Sequence, residues 1–116
     1  MTTPVGPYSP IVKAGDWLIC SGQLGLVNGA LVDGVAAQTA QALRNVEALL
    51  AGQAASLTDV VKTLVFLVDM ADFQEMNQIY ADAFGDHRPA RSTVAVAALP
   101  MGGRVEIEVW AHRSHG

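Results

Sequence analysis

A single cysteine in 116 residues leaves no partner for an internal disulfide, so the fold must rest on packing, as expected in a reducing compartment. Cationic side chains are also scarce. Seven Lys and Arg stand against eleven Asp and Glu, and the formal net charge is −4. The seven are scattered, which argues against nucleic acid as a partner, because phosphate affinity needs a basic surface to release counterions. No apolar run approaches the roughly 18 residues that a membrane span requires, and Met1-Thr2-Thr3-Pro4 has neither the basic nor the apolar part of a secretion signal. A soluble cytoplasmic protein with no membrane partner is expected. Neither G-x-G-x-x-G nor G-x-x-x-x-G-K-[ST] occurs, and Ser21-Gly22-Gln23 is neither a nucleophile elbow nor a phosphate loop, so no nucleotide cofactor is expected. Repeats, low-complexity tracts and linkers are missing too, and residues 1–116 read as one domain.

What is abundant is apolar surface. Hydrophobic residues make up 51% of the chain and charged residues 16%, a balance that supports a packed core and excludes disorder. The first ten residues carry three prolines and read as an extended leader. Ile11 to Lys13 and Trp17 to Ser21 then read as short strands around the turn Ala14-Gly15-Asp16, with Gly22, Gly25, Gly29 and Gly34 marking a loop or further hairpin. From Val35 to about Ala54, the positions Val35, Thr39, Ala42, Leu43, Val46, Leu49 and Leu50 recur at three and four, an amphipathic helix, with Gln38, Gln41, Arg44, Asn45 and Glu47 mostly off the stripe. Val60 to Val68 is β-branched and aromatic. Its faces, Val60, Leu64, Phe66 and Val68 against Val61, Val65 and Leu67, are both apolar, which predicts a strand covered on both sides. A second helix is expected from about Asp72 to Phe84, with Phe73, Met76, Tyr80, Ala83 and Phe84 on one face and Gly85 as its C-cap. Strands Arg91 to Val96 and Arg104 to His112 flank Leu99-Pro100-Met101-Gly102-Gly103. The order is that of an α+β mixed β-sheet with two helices on one face. Two helices cover only that face, so the other is expected to pack on a further copy of the chain.

Chemistry concentrates near the end of the chain. Alternation puts Val105, Ile107, Val109 and Ala111 on one face of the last strand and Arg104, Glu106, Glu108, Trp110 and His112 on the other. Arg91, Thr93 and Ala95 similarly oppose Ser92, Val94 and Val96, so that Arg91, Thr93 and the two carboxylates can share the face turned away from the helices. A guanidinium there can grip a carboxylate through two parallel hydrogen bonds, and a nearby carboxylate can take a proton from water. The same residue types also fit a plain Arg–Glu ion pair.

Other candidates carry weaker signals. Asn77 falls at the edge of the apolar stripe, where its amide must find partners in the fold or in a ligand. Tyr8, in Gly6-Pro7-Tyr8-Ser9-Pro10, either packs or lends its phenol to a cleft. Cys20 lies in an apolar run without a nearby base and is expected to be an inert core thiol. His112 and His115 are spaced H-x-x-H without a third ligand and His87 is remote, so no metal site is expected.

Pro89-Ala90-Arg91-Ser92-Thr93-Val94, Leu99-Pro100 and Val105-Glu106-Ile107-Glu108 together resemble the C-terminal signature of the RidA/YjgF family of reactive-intermediate deaminases. Gly6-Pro7-Tyr8-Ser9, Cys20-Ser21-Gly22-Gln23, Ala37-Gln38-Thr39, Asn45-Val46, Val60-Val61-Lys62-Thr63, and Asn77 with Tyr80 and Phe84, extend the resemblance along nearly the whole chain. It implies a chorismate-mutase-like fold assembled as a homotrimer with clefts between subunits. It further implies cofactor-free hydrolysis of small enamine and imine substrates, 2-iminobutanoate, 2-iminopropanoate and 2-aminoacrylate, to 2-oxo acids and ammonia. Carried over by motif, Arg91 would clamp the substrate carboxylate and Glu106 would orient or activate water, with Tyr8, Ser21, Asn77 and Thr93 lining the cleft. Two departures stand out: Thr93 replaces a common family Cys, and the turn between Asn77 and Arg91 is short. Two other classes of function compete: a non-catalytic binder of 2-oxo acids or other small carboxylates, and a ribonuclease or translation inhibitor, which the charge disfavours.

Overall fold

Alternating burial in Trp17-Leu18-Ile19-Cys20 and in Val105-Glu106-Ile107-Glu108-Val109 sets two eight-residue antiparallel partners of one sheet side by side. The computed structural model describes residues 6–113. The strands are β1 (Ile11–Ala14), β2 (Trp17–Leu24), a small ribbon of β3 (Leu26–Val27) and β4 (Ala30–Leu31), β5 (Val60–Leu67), β6 (Ala90–Ala95) and β7 (Val105–His112); the helices are α1 (Val35–Ala51) and α2 (Phe73–Phe84). The five-stranded sheet has the order β1-β2-β7-β5-β6. β5 and β6 run parallel, with α2 as their crossover, and the remaining pairs are antiparallel. The expected mixed sheet with two helices is the fold observed. β6 and β7, neighbours in sequence, are separated in space by β5.

Both helices pack on one face. Leu18, Cys20, Val65, Leu67, Val105, Ile107, Val109 and Ala111 meet Val35, Ala42, Leu43, Val46, Leu49 and Leu50 of α1 and Met76, Tyr80 and Phe84 of α2. Each fully buried aliphatic side chain contributes about 1.5–3 kcal/mol by leaving water. The opposite face has no such cover: Val12, Trp17, Val94 and Trp110 are exposed, and Ile19, Leu64 and Phe66 half-buried. No helix among the described residues is long and apolar enough to cross a membrane.

Polar side chains of α1 do structural work that its helical period does not reveal. Asn45 Nδ2 donates to the carbonyls of Leu24 (3.0 Å) and Leu26 (3.1 Å), stitching the helix to the end of β2 and to β3. Gln38, buried, donates to Val32 O (3.0 Å) and accepts from Arg104 N (2.9 Å). The helix comes so close here that a Cβ on Gly25 would lie 2.5 Å from Gln38 Cα.

Several boundaries and faces differ from the sequence expectation. α1 ends at Ala51, with Gly52 as its cap, and β2 continues to Leu24. A bulge between Val60 and Lys62 inserts Val61, which is exposed, so Val60 turns to the helix side and not to the side of Leu64 and Phe66. Arg104 precedes β7, and its guanidinium bonds both carboxylate oxygens of Asp72 (2.8 and 2.9 Å) at the start of α2, away from Glu106. Gly85 caps α2 as expected, at φ 62°.

Candidate functional site

Residue parity fixes where Arg91 points. In parallel register Thr63 faces Arg91 and Val65 faces Thr93, and Thr63 and Val65 are buried on the helix side. Arg91 and Thr93 therefore lie on the helix side of β6. This corrects the expectation that they share a face with Glu106 and Glu108, which lie opposite Phe66 and Leu64 on the uncovered face. The cause is that β6 is an edge strand with no apolar alternation to declare its inner face.

The edge position shapes the surroundings of Arg91. Its guanidinium carbon stands 4.7 Å from the centroid of the Tyr80 ring and 5.6 Å from that of Phe73, both on α2. Asn77, half-buried, occupies the same helical edge between those two rings. Val96 N donates to Leu67 O (2.8 Å), and strand alternation from this bond turns the peptide groups of Ala90, Ser92 and Val94 toward β5. The peptide N–H groups of Arg91 and Thr93 then point out of the free sheet edge, beside the guanidinium. The Thr93 hydroxyl is buried and lacks a hydrogen-bond partner among the described residues.

Glu106 belongs to a second cluster, on β7 and β2. A bulge in β2 between Cys20 and Gln23 displaces Ser21 and Gly22 from the ladder. Gly22 leaves the space that Glu106 fills: a Cβ there would sit 2.7 Å from Glu106 Cδ and 2.9 Å from its Oε1. Burial first, and repulsion from Glu108 second, push the Glu106 carboxyl above the usual carboxylate range. Glu108 is held by a hydrogen bond from Trp110 Nε1 (3.2 Å). The Ser21 hydroxyl donates to Ser9 O (2.7 Å) and Ser21 N to Pro10 O (2.8 Å), tying the leader that carries Tyr8 to this end of the sheet. Tyr8 itself is exposed.

The six candidate residues thus fall into two groups. Tyr8, Ser21 and Glu106 gather around the β2 bulge; Asn77, Arg91 and Thr93 gather at the α2–β6 edge. Glu106 lies two strands and three residues from Arg91, about 10 Å across the sheet and about 10 Å along it, on the opposite face. Gly22, Phe73 and Tyr80 were missed as site residues, although the steric demand at Gly22 is signalled only by a glycine inside a strand pattern.

The remaining candidates have structural partners. Burial pushes the Cys20 thiol up to about 12, which leaves it unreactive. His87 Nε2 donates to Val60 O (2.7 Å), His112 packs on the Trp17 ring, and His115 lies outside the described residues. No cluster of three or more His, Cys, Asp or Glu that could hold a metal ion occurs among the described residues.

Comparison with known proteins gives these two clusters a family context. The sequence pattern of the family described as Endoribonuclease L-PSP matches residues 1–113. The human 2-iminobutanoate/2-iminopropanoate deaminase is 44% identical over 110 residues, 92% of this chain and 80% of the human one. RidA from an Antarctic Psychrobacter superimposes with TM-score 0.92 at 41% identity, covering 95% of this chain and 91% of the other. Escherichia coli TdcF, solved with bound serine, gives TM-score 0.91 at 35% identity, with 96% and 91% covered. On sequence and on fold alike, the chain belongs to the Endoribonuclease L-PSP family, the family of RidA and YjgF.

Proposed function

We propose that this protein is a cofactor-independent deaminase that hydrolyses small 2-imino acids, and the 2-aminoacrylate-type enamines that tautomerise to them, to 2-oxo acids and ammonia in the cytoplasm. The observation that carries the reading is the Arg91 guanidinium, half-buried at a sheet edge beside the Thr93 peptide N–H, a receptor for a carboxylate. Glu106, its carboxyl raised above its ordinary value by burial and by Glu108, and seated against Gly22, is suited to move a proton to and from water. Water adds to the imine carbon while Glu106 takes its proton. That proton passes to nitrogen to complete the carbinolamine; the carbinol O–H proton then follows it to the amine nitrogen, the C–N bond breaks with its electron pair leaving on nitrogen as ammonia, and the carbinol oxygen becomes the new carbonyl. An imine is electrophilic already, so positioning and charge stabilisation suffice.

Because Arg91 and Glu106 occupy opposite faces and are far apart, one small substrate touches both only if they come from different copies of the chain. The apolar uncovered sheet face favours such an assembly, and we read it as a homotrimer, with 1–116 acting as one domain in each subunit. Tyr8, Ser21 and Asn77 line the cleft in this reading.

The test couples the purified protein to an enzyme that releases 2-imino acids and follows their decay to 2-oxo acid. Wild type should accelerate the decay and Arg91→Ala should not; no acceleration of any imine by wild type would refute the reading. Arg91 would hold product as readily as substrate, which makes a non-catalytic 2-oxo acid binder the second reading. Glu106→Gln separates the two, since an enzyme then keeps 2-oxobutyrate binding while losing turnover. Net charge −4 and scattered cations do not favour ribonuclease activity.

A further inference from the structure

We propose that Tyr80 is a positioning residue for Arg91, a fixed aromatic platform that presents the guanidinium edge-on to a substrate carboxylate. The inference rests on the reading that Arg91 receives a carboxylate, and it assigns a role to a side chain that touches no substrate. Tyr80 is held from three sides. It is buried, its ring packs at a tilt on Phe84 with centroids 4.6 Å apart, and its hydroxyl shares a 2.8 Å hydrogen bond with Thr63 Oγ1. Thr63 is fully buried and stands directly opposite Arg91 in the parallel register. The contacts therefore close a loop: strand β5 anchors the phenol, the ring lies under the guanidinium, and the peptide groups of Ala90 and Ser92 on either side of Arg91 return to β5 through the ladder.

An arginine on an edge strand otherwise sweeps a wide volume. The guanidinium carbon sits over the Tyr80 ring at 4.7 Å, with Phe73 at 5.6 Å, a cation–π contact that narrows this sweep, and presented from such a platform the N–H donors in its plane would be free for a bidentate carboxylate contact. Among the described residues no carboxylate lies within ion-pair distance of Arg91, whereas Arg104 is paired with Asp72. The positioned charge is left for an external anion.

The experiment reads the contact and its consequence separately. In the nitrogen-15 NMR spectrum of wild type, the Arg91 Nε–Hε signal, assigned by its loss in Arg91→Lys, should be shifted upfield by the ring current. Tyr80→Phe should keep that shift. Tyr80→Leu should abolish it and weaken 2-oxobutyrate binding about tenfold, while Tyr80→Phe stays within about twofold of wild type. In the Arg91→Ala background Tyr80→Leu should add nothing, and in imine hydrolysis its effect should fall on KM with kcat retained. An unshifted Arg91 signal in wild type overturns this inference alone, and needs no variant of Tyr80 to fold. Equal weakening by Tyr80→Leu with and without Arg91 overturns it as well, since that marks a merely structural residue. An upfield signal in a wild type that neither binds 2-oxobutyrate nor hydrolyses imines overturns the functional reading and with it the role given to Tyr80.

Discussion

Gly22→Ala tests whether the second cluster is a proton-transfer site. The added Cβ would lie 2.7 Å from Glu106 Cδ and 2.9 Å from its Cγ and Oε1, against the roughly 3.5–4.0 Å at which carbon atoms sit comfortably. The backbone at Gly22 is not in the left-handed region, so the substitution meets a steric problem and not a conformational one. The obstructing atoms are the far end of a flexible side chain, which can swing aside by about 1 Å and leave the strands in place. Overpacking of this kind costs about 1–3 kcal/mol in a closed core and belongs at the low end here, because Glu106 is only half-buried. Catalysis has less tolerance: misplacing a reacting group by ~1 Å can cost roughly a hundredfold in rate. The coupled imine assay should therefore show kcat falling by roughly that factor, with KM little changed because Arg91 is untouched, while thermal unfolding moves by only a few degrees. Gly25→Ala is the contrast, since its Cβ would strike Gln38 backbone atoms at 2.5 and 2.6 Å and should unfold the protein. A folded Gly22→Ala enzyme with wild-type kcat would remove Glu106 from the mechanism.

Arg91→Lys keeps the charge but loses the planar fork, and kcat/KM for carboxylate-bearing imines should drop roughly 10–100-fold; wild-type activity in the lysine variant would show that a point charge is enough. Glu106 has a raised folded pKa, so its proton stabilises the native state below the ordinary carboxylate range, and stability declines as pH climbs from there through the folded value. Glu106→Gln should flatten that part of the stability-against-pH curve and melt above wild type at neutral pH; an unchanged slope would contradict the assigned desolvation. Thr93→Val removes a buried hydroxyl without a partner, whose desolvation costs about 1–3 kcal/mol, so the variant should melt at or above the wild-type temperature. It should also remain active, because the group credited with binding at this position is the peptide N–H, and a folded but inactive Thr93→Val would transfer the role to the hydroxyl.

How far the sequence could be read depended on whether a residue's environment was periodic. The stripe Val35, Thr39, Ala42, Leu43, Val46, Leu49 and Leu50 is buried along α1 as its spacing required, and Val105, Ile107, Val109 and Ala111 face the core by simple alternation. Bulges defeat that logic. One extra residue at Val61 turns Val60 to the other face, and the irregularity at Ser21 and Gly22 brings Gly22 against the Glu106 side chain, yet neither has a hydrophobic signature. Arg91 was misassigned to a face for a related reason: Arg-Ser-Thr-Val on an edge strand carries no apolar alternation, and its parity is set by the pairing of Thr63 with Arg91 across a parallel ladder. Thr63 compounds this, since it is polar and fully buried, satisfied by Tyr80 from a distant helix. The identity of the residues was thus legible in the motifs, whereas their division between two faces was not.

That division makes the assembly testable through catalysis itself. If each active site takes Arg91 from one subunit and Glu106 from its neighbour, Arg91→Ala and Glu106→Gln damage different halves of the same cleft. Each variant alone should be inactive. Mixed in equal amounts and reassembled together, a site is intact only when the arginine side comes from a Glu106→Gln subunit and the carboxylate side from an Arg91→Ala subunit. Random association gives this arrangement in about one quarter of the interfaces, so about one quarter of wild-type activity should return. A site built within one chain cannot regain activity by mixing, because every chain then carries a damaged copy. Recovery near a quarter would support the shared cleft, and the absence of recovery in demonstrably mixed oligomers would mean that Arg91 and Glu106 do not serve one substrate from two subunits.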